Sequence, residues 1–143
     1  MEDIFSKDSV MNGYQEIENV MDKAQFAKKV TTDHGFDTND SVEKAFNKIT
    51  EEYEELKVEV ENYIKEGKNL IDLQKEMGDV LFAICGLANK LDIRAEDCLD
   101  MTVNKFVFRT CYIEKKLKEK GQDFSNGNID EMCQWWNEAK QFI

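Results

Sequence analysis

Proline is absent from the 143 residues, where ordinary usage would supply about seven. Glycine occurs only 7 times. Tight-turn architectures are disfavoured by both shortages, and long uninterrupted helices are favoured. Basic residues are also scarce, 19 Lys and Arg against 30 Asp and Glu, for a formal net charge of -11. A field of that sign repels nucleic acid and anionic membrane, so neither is expected as a partner. No apolar run approaches the ~18 residues of a membrane span, and no basic-then-apolar leader opens the chain. A cytoplasmic protein is therefore expected. The single histidine, His34, lies in the polar stretch 31–40, which leaves the four cysteines without a basic activator. Cys85, Cys98, Cys111 and Cys133 form no CxxC pair and have no nearby His to complete a zinc tetrahedron, so buried thiols of a reducing compartment are expected.

What is present is helical periodicity. No repeat, linker or low-complexity tract divides the chain, so residues 1–143 are read as one domain, with the first ten residues frayed or dependent on an oligomer. Tyr14, Ile17, Met21, Ala24 and Ala27 step by three and four, which predicts a first helix over 13–30. Val42, Ala45, Phe46, Ile49, Tyr53, Leu56, Val60, Tyr63 and Ile64 give the clearest stripe; Asp40 or Ser41 caps that helix and Gly67 ends it. A third helix over 70–91 turns Leu73, Met77, Val80, Leu81, Ile84 and Ala88 inward. A fourth over 95–120 turns Leu99, Val103, Phe106, Ile113 and Leu117 inward, and Gly121 closes it. Asn128 with Glu131 marks the start of a short last helix carrying Met132, Trp135, Trp136 and Ala139.

Carboxylate placement matters more than carboxylate density. On a wheel of ~100° per residue, Glu52 and Glu55 border the apolar stripe of the second helix on one side, while Glu54 points away. Glu76 and Asp79 are one turn apart on the third helix and follow one edge of its stripe, beside Ala83 and Gly86. Two antiparallel helices with a short connection thus oppose two carboxylate pairs. Converging carboxylates need countercharge. All-oxygen ligation suits magnesium, with manganese as a substitute; a di-iron bundle requires two Glu-x-x-His motifs, which one histidine cannot supply.

The fourth helix adds Lys105 and Arg109, i and i+4, with no carboxylate three or four residues away in the same helix. A bound polyphosphate explains such a pair better than helix design does. Pairing with the carboxylates of the second and third helices is the alternative.

The ordered set Glu51-Glu52-x-x-Glu55, Glu76-x-x-Asp79 and Lys105 with Arg109 resembles the MazG nucleoside triphosphate pyrophosphohydrolases. The run KEMGDVLFAICGLANKLDIRAEDCL, the stretch HGFDTNDS and the closing EMCQWWNEAK resemble the same family, and the similarity extends over about 21–140. It implies an all-α, four-helix-bundle-like fold with an additional short C-terminal helix. It further implies magnesium-dependent hydrolysis of nucleoside triphosphates to monophosphate and pyrophosphate, in nucleotide-pool house-cleaning. By position, Glu52, Glu55, Glu76 and Asp79 match the metal-binding carboxylates, Glu51 is the remaining motif acid, and Lys105 and Arg109 match the phosphate-contacting pair. Glu51, Glu52 and Glu55 are the candidate catalytic acids, Glu52 or Glu55 orienting the attacking water. Thr38 departs from the aromatic that many relatives carry after Gly-Phe-Asp, and Val103 departs from the common Asn.

Two other readings accompany this one: a pyrimidine-specific dUTP or dCTP pyrophosphatase of the same all-α group, and an acidic helical interaction module without catalysis. A homodimer is the expected assembly and a tetramer the second.

Overall fold

The computed structural model describes residues 8–36 and 41–143. Among them are a 3-10 turn, Tyr14–Glu16, and five helices: α1 (Val20–Asp33), α2 (Val42–Glu66), α3 (Leu70–Lys90), α4 (Ala95–Glu119) and α5 (Ile129–Ala139). The described residues contain no strand, in keeping with the all-α expectation. None of these helices is long and apolar enough to cross a membrane. The chain forms two compact units, Met1–Glu96 and Asp97–Ile143.

Helix boundaries follow the polar signals. Ser41 caps α2 by accepting from the Lys44 amide, and Gly67 ends it at φ 68°, a conformation that favours glycine. The alternative cap, Asp40, and the divergent Thr38 lie outside the described residues. Asn128 accepts from the Glu131 amide at the start of α5. The first helix differs from expectation: α1 begins at Val20 rather than near residue 13. Gly13 is left-handed at φ 94° and Ile17 is extended, while the Asn19 side chain accepts from the amides of Met21 and Asp22. A side-chain cap thus starts the helix six residues after the glycine, and Tyr14 and Ile17 do not share its stripe.

In the first unit α2 and α3 lie side by side, joined only by residues 67–69, and α1 packs against α3. Where α1 meets α3, Cys85 and Ala88 are buried together with Ala95 at the start of α4, and Met21 and Ala24 pack against them. Gln25 fastens this corner. Its amide donates to Asn89 Oδ1 (3.0 Å) and to the Ile93 carbonyl (2.9 Å), and its Oε1 accepts from the Ala95 amide (2.9 Å). Asn89 returns a bond to the Gln25 carbonyl (2.9 Å). The chain reverses after α3 through Asp92 at φ 54°.

Most of the predicted inward stripes are not buried. On α2 only Ala45 among the stripe residues is buried, and Ile64 is 77% exposed. On α4 Ile113 and Leu117 are buried, whereas Leu99, Val103 and Phe106 are exposed. On α3 Ala88 is buried, but Met77, Leu81 and Ile84 are exposed. Periodicity identifies a helix's apolar face, not whether the same chain covers it. The thiols differ likewise: all four are free, but only Cys85 is buried, because Cys98, Cys111 and Cys133 sit on outer faces of α4 and α5.

In the second unit α5 follows the Gly121 turn, and the fully buried Leu117 side chain lies against Gly127. A Cβ at Gly127 would meet Leu117 Cδ2 at 2.6 Å and the Asp123 carbonyl at 3.1 Å. Overpacking a buried site costs about 1–3 kcal/mol. Gly127→Ala is therefore expected to lower the melting temperature, and Leu117→Val in the same chain to recover part of the loss; a thermal melt of the three proteins checks this.

Candidate functional site

The α2–α3 pair carries the acidic centre. Residues 52 and 55 on α2 and 76 and 79 on α3 are each one helical turn apart, so each pair projects from one face. One carboxylate oxygen each from Glu52, Glu76 and Asp79 lies within 4.8 Å of the others. Glu52 is only 9% exposed, a burial that charged residues rarely reach without partners. Glu76 is half-buried and Asp79 exposed. Glu76 Oε2 is buried and meets no hydrogen-bond donor.

Burial, first, and then the negative charges of Glu55 and Asp79 push the Glu76 carboxyl above the ordinary range. A hydrogen bond with Glu55 and the charge of Glu52 add to the shift. Glu55 is thus joined to the three-residue cluster through Glu76, although its side chain is exposed. Glu51 and Glu54 are both exposed, and Glu51 instead meets Lys48 Nζ at 3.1 Å.

Lys48 occupies the turn before this acidic run and was not marked by the carboxylate pattern. Its Nζ lies 2.8 Å from Glu52 Oε1, and hydrogen bonds to Glu52, then to Glu51, raise its pKa. The signal was available as the i,i+4 spacing from Lys48 to Glu52. A cavity of about 600 Å³ adjoins the site, with Glu52 and Asp79 at its wall and Phe82, Ala83 and Gly86 continuing along α3 to Asn89. Lys28, Lys29, Lys48, Lys90 and Arg94 also line it. Asp33 and Asp92 share that lining, and Lys29 pairs with Asp33 and Arg94 with Asp22 and Glu96.

The donor set fits a hard divalent cation. It consists of oxygens alone, one of them buried without a donor, on two helices whose spacing brings three carboxylates together. A cation here would offset the carboxylate charge and polarise phosphate oxygens.

Lys105 and Arg109 belong to the second unit. Lys105 is half-buried. Arg109 stands over the Trp136 ring at 5.4 Å, and its Nε and Nη2 donate to the Ile143 backbone oxygen at 3.2 and 3.0 Å. Trp136 in turn meets Phe106 edge to face, centroids 5.5 Å apart. The guanidinium is therefore held by α5 and the residues after it, a packing partner that i,i+4 spacing alone does not reveal.

Glu76→Gln removes one charge from the cluster and one ligand from any cation. The empty protein is expected to melt at the same temperature or higher, and its affinity for Mn2+ to fall at least about tenfold. Calorimetric titration and a melt in chelator measure both.

Comparison with known proteins places these residues in a family. The MazG nucleotide pyrophosphohydrolase domain matches residues 40–112, which include the whole of α2 and α3. The nucleoside triphosphate pyrophosphohydrolase/pyrophosphatase MazG of Thermotoga maritima is 33% identical over 106 residues, 74% of this chain and 38% of that protein. The nucleoside triphosphate pyrophosphohydrolase of Escherichia coli (strain K12) is 28% identical over 119 residues, 83% of this chain and 44% of that one. The Bacillus subtilis protein YabN is 40% identical over 70 residues, 49% of this chain and 14% of its own length. The chain thus spans less than half the length of these relatives. With the acidic centre, its helical pair and the domain match in agreement, the chain belongs to the MazG nucleotide pyrophosphohydrolase family.

Proposed function

We propose that the chain is a hydrolase that cleaves nucleoside triphosphates to the monophosphate and pyrophosphate, with magnesium as its ordinary cation and manganese as a substitute. The observation that carries this reading is the convergence of Glu52, Glu76 and Asp79 within 4.8 Å beside a cavity that Lys28, Lys48 and Lys90 also line. The relatives named for this activity support it.

Phosphoanhydride cleavage asks mainly for positioning and electrostatic stabilisation. Glu52, Glu55, Glu76 and Asp79 would hold the cation, which supplies charge neutralisation at the phosphate oxygens. Glu55, exposed like Asp79, would orient the attacking water and accept its proton. Glu52 has the same chemistry but is engaged by Lys48, and Glu51 is the further acid of the motif. Lys105 and Arg109 would hold the outgoing phosphates. Beyond the carboxylates the cavity follows α3 from Asp79 to Asn89, a rise of about 15 Å; the nucleoside would lie there, over the small residues Ala83 and Gly86.

A homodimer, or a tetramer, acting as one catalytic domain per chain completes the reading. Phe46, Tyr53, Ile64 and Phe106 are all more than half exposed, and a second copy would cover such faces. Free thiols and the acidic charge suit a cytoplasmic enzyme of nucleotide-pool house-cleaning.

The test is a panel of ribo- and deoxynucleoside triphosphates with magnesium, products resolved by phosphorus NMR. Monophosphate plus pyrophosphate is expected; diphosphate plus phosphate, or no turnover, contradicts the reading. Turnover confined to dUTP or dCTP would narrow it to a pyrimidine enzyme. Glu55→Gln and Asp79→Asn are expected to abolish turnover with the helical fold retained, and Glu54→Gln to change little. Lys105→Ala and Arg109→Ala should each lower kcat/KM by about tenfold or more, since a charged hydrogen bond is worth roughly 1.5–3 kcal/mol.

A further inference from the structure

Lys48 has two neighbours of opposite demand. Its ammonium sits 2.8 Å from the buried Glu52 and 3.1 Å from the exposed Glu51, and its side chain, 57% exposed, also borders the cavity. Glu52 belongs to the cluster that fits a divalent cation. A dication drawing on the Glu52 carboxylate and an ammonium bonded to that carboxylate repel each other at such distances. The ammonium is the mobile member: its four-carbon stem is flexible and its head already reaches water.

We propose that Lys48 is an exchangeable counterion of the metal site, neutralising Glu52 while the site is empty and moving from Glu52 to a phosphate oxygen of the substrate when the cation arrives. The inference rests on the metal-dependent reading of the site given above. It assigns Lys48 a role that none of the motif carboxylates nor Lys105 and Arg109 fulfils. In the empty protein it offsets the charge of Glu52 and Glu51. In the loaded protein the same charge serves the triphosphate, so the cation and the substrate phosphates enter as a pair. A purely structural i,i+4 pair on α2 would stay in place throughout and would leave metal affinity alone.

The two halves of the exchange have opposite signs in Lys48→Met. Losing the competing ammonium should tighten binding of Mn2+ alone by about three- to tenfold, since ion pairs of this kind shift equilibria by that order. Losing the phosphate contact should weaken binding of inorganic pyrophosphate to the Mn2+-saturated protein by a similar factor. Lys48→Arg keeps the charge and should leave the Mn2+ affinity close to that of the unchanged protein. Calorimetric titrations of Mn2+, then of pyrophosphate at saturating Mn2+, measure both quantities without turnover, with helical content checked by circular dichroism. Weaker Mn2+ binding in Lys48→Met would overturn the proposal, because Lys48 would then be holding Glu52 in place for the metal. Unchanged binding in both titrations, or an unchanged protein that takes up no Mn2+, would overturn it as well. If Mn2+ and pyrophosphate respond as expected while no triphosphate is hydrolysed, the counterion role stands and the proposed reaction fails.

Discussion

Carboxylates brought together at the edge of a helical pair raise one another's free energy, and the first unit is organised around that repulsion. Glu52, Glu76 and Asp79 meet within 4.8 Å, and Glu76 carries a buried oxygen that no donor satisfies. Two features oppose the cost: the raised proton affinity of Glu76 and the Lys48 ammonium on Glu52. Each is a stand-in for positive charge. A fold selected for stability alone has little reason to bury one acid among others, and a divalent cation would supply the missing countercharge.

The packing around the cluster follows from that demand. Helices α2 and α3 must hold their acidic edges in register, and the connection of residues 67–69, with Gly67 left-handed, fixes where α3 starts relative to the end of α2. Small residues at 83, 86 and 88 are buried on α3, and the cavity lies among α1, α2 and α3, lined from α1 by Gln25, Lys28 and Thr32. The Gln25 and Asn89 amides close the far end of the cavity by bonding to each other and to the backbone at Gln25, Ile93 and Ala95. In the second unit Arg109 is likewise held, between the Trp136 ring and the Ile143 oxygen.

Much of this was legible in the residues. The steps of three and four along α2 and α3, the Gly67 stop and the Asn128 cap translate directly into local backbone structure, because each acts within a turn or two of its own position. The meeting of Glu52 with Glu76 and Asp79 was legible for the same reason, once the two helices were taken as antiparallel neighbours. What escaped the reading was tertiary. Tyr14 and Ile17 matched the helical spacing of α1, but Gly13 and the Asn19 cap separate them from it. Phe106 and Ile64 matched apolar stripes, yet stand exposed because nothing in a stripe says which surface meets it. Lys48 was overlooked because attention to like charges hid the single unlike charge one turn away, and Lys28, Lys29 and Lys90 because residues distant in sequence share a cavity wall only after folding.

Anomalous diffraction from a crystal grown with Mn2+ bears most directly on the central claim, that the repulsion on the α2–α3 edge exists to hold a cation. A single strong peak, or two close together, in contact with Glu52, Glu76 and Asp79 and with Glu55 drawn in beside them, is the predicted result. A peak elsewhere, or none, with Lys48 still on Glu52, would contradict it.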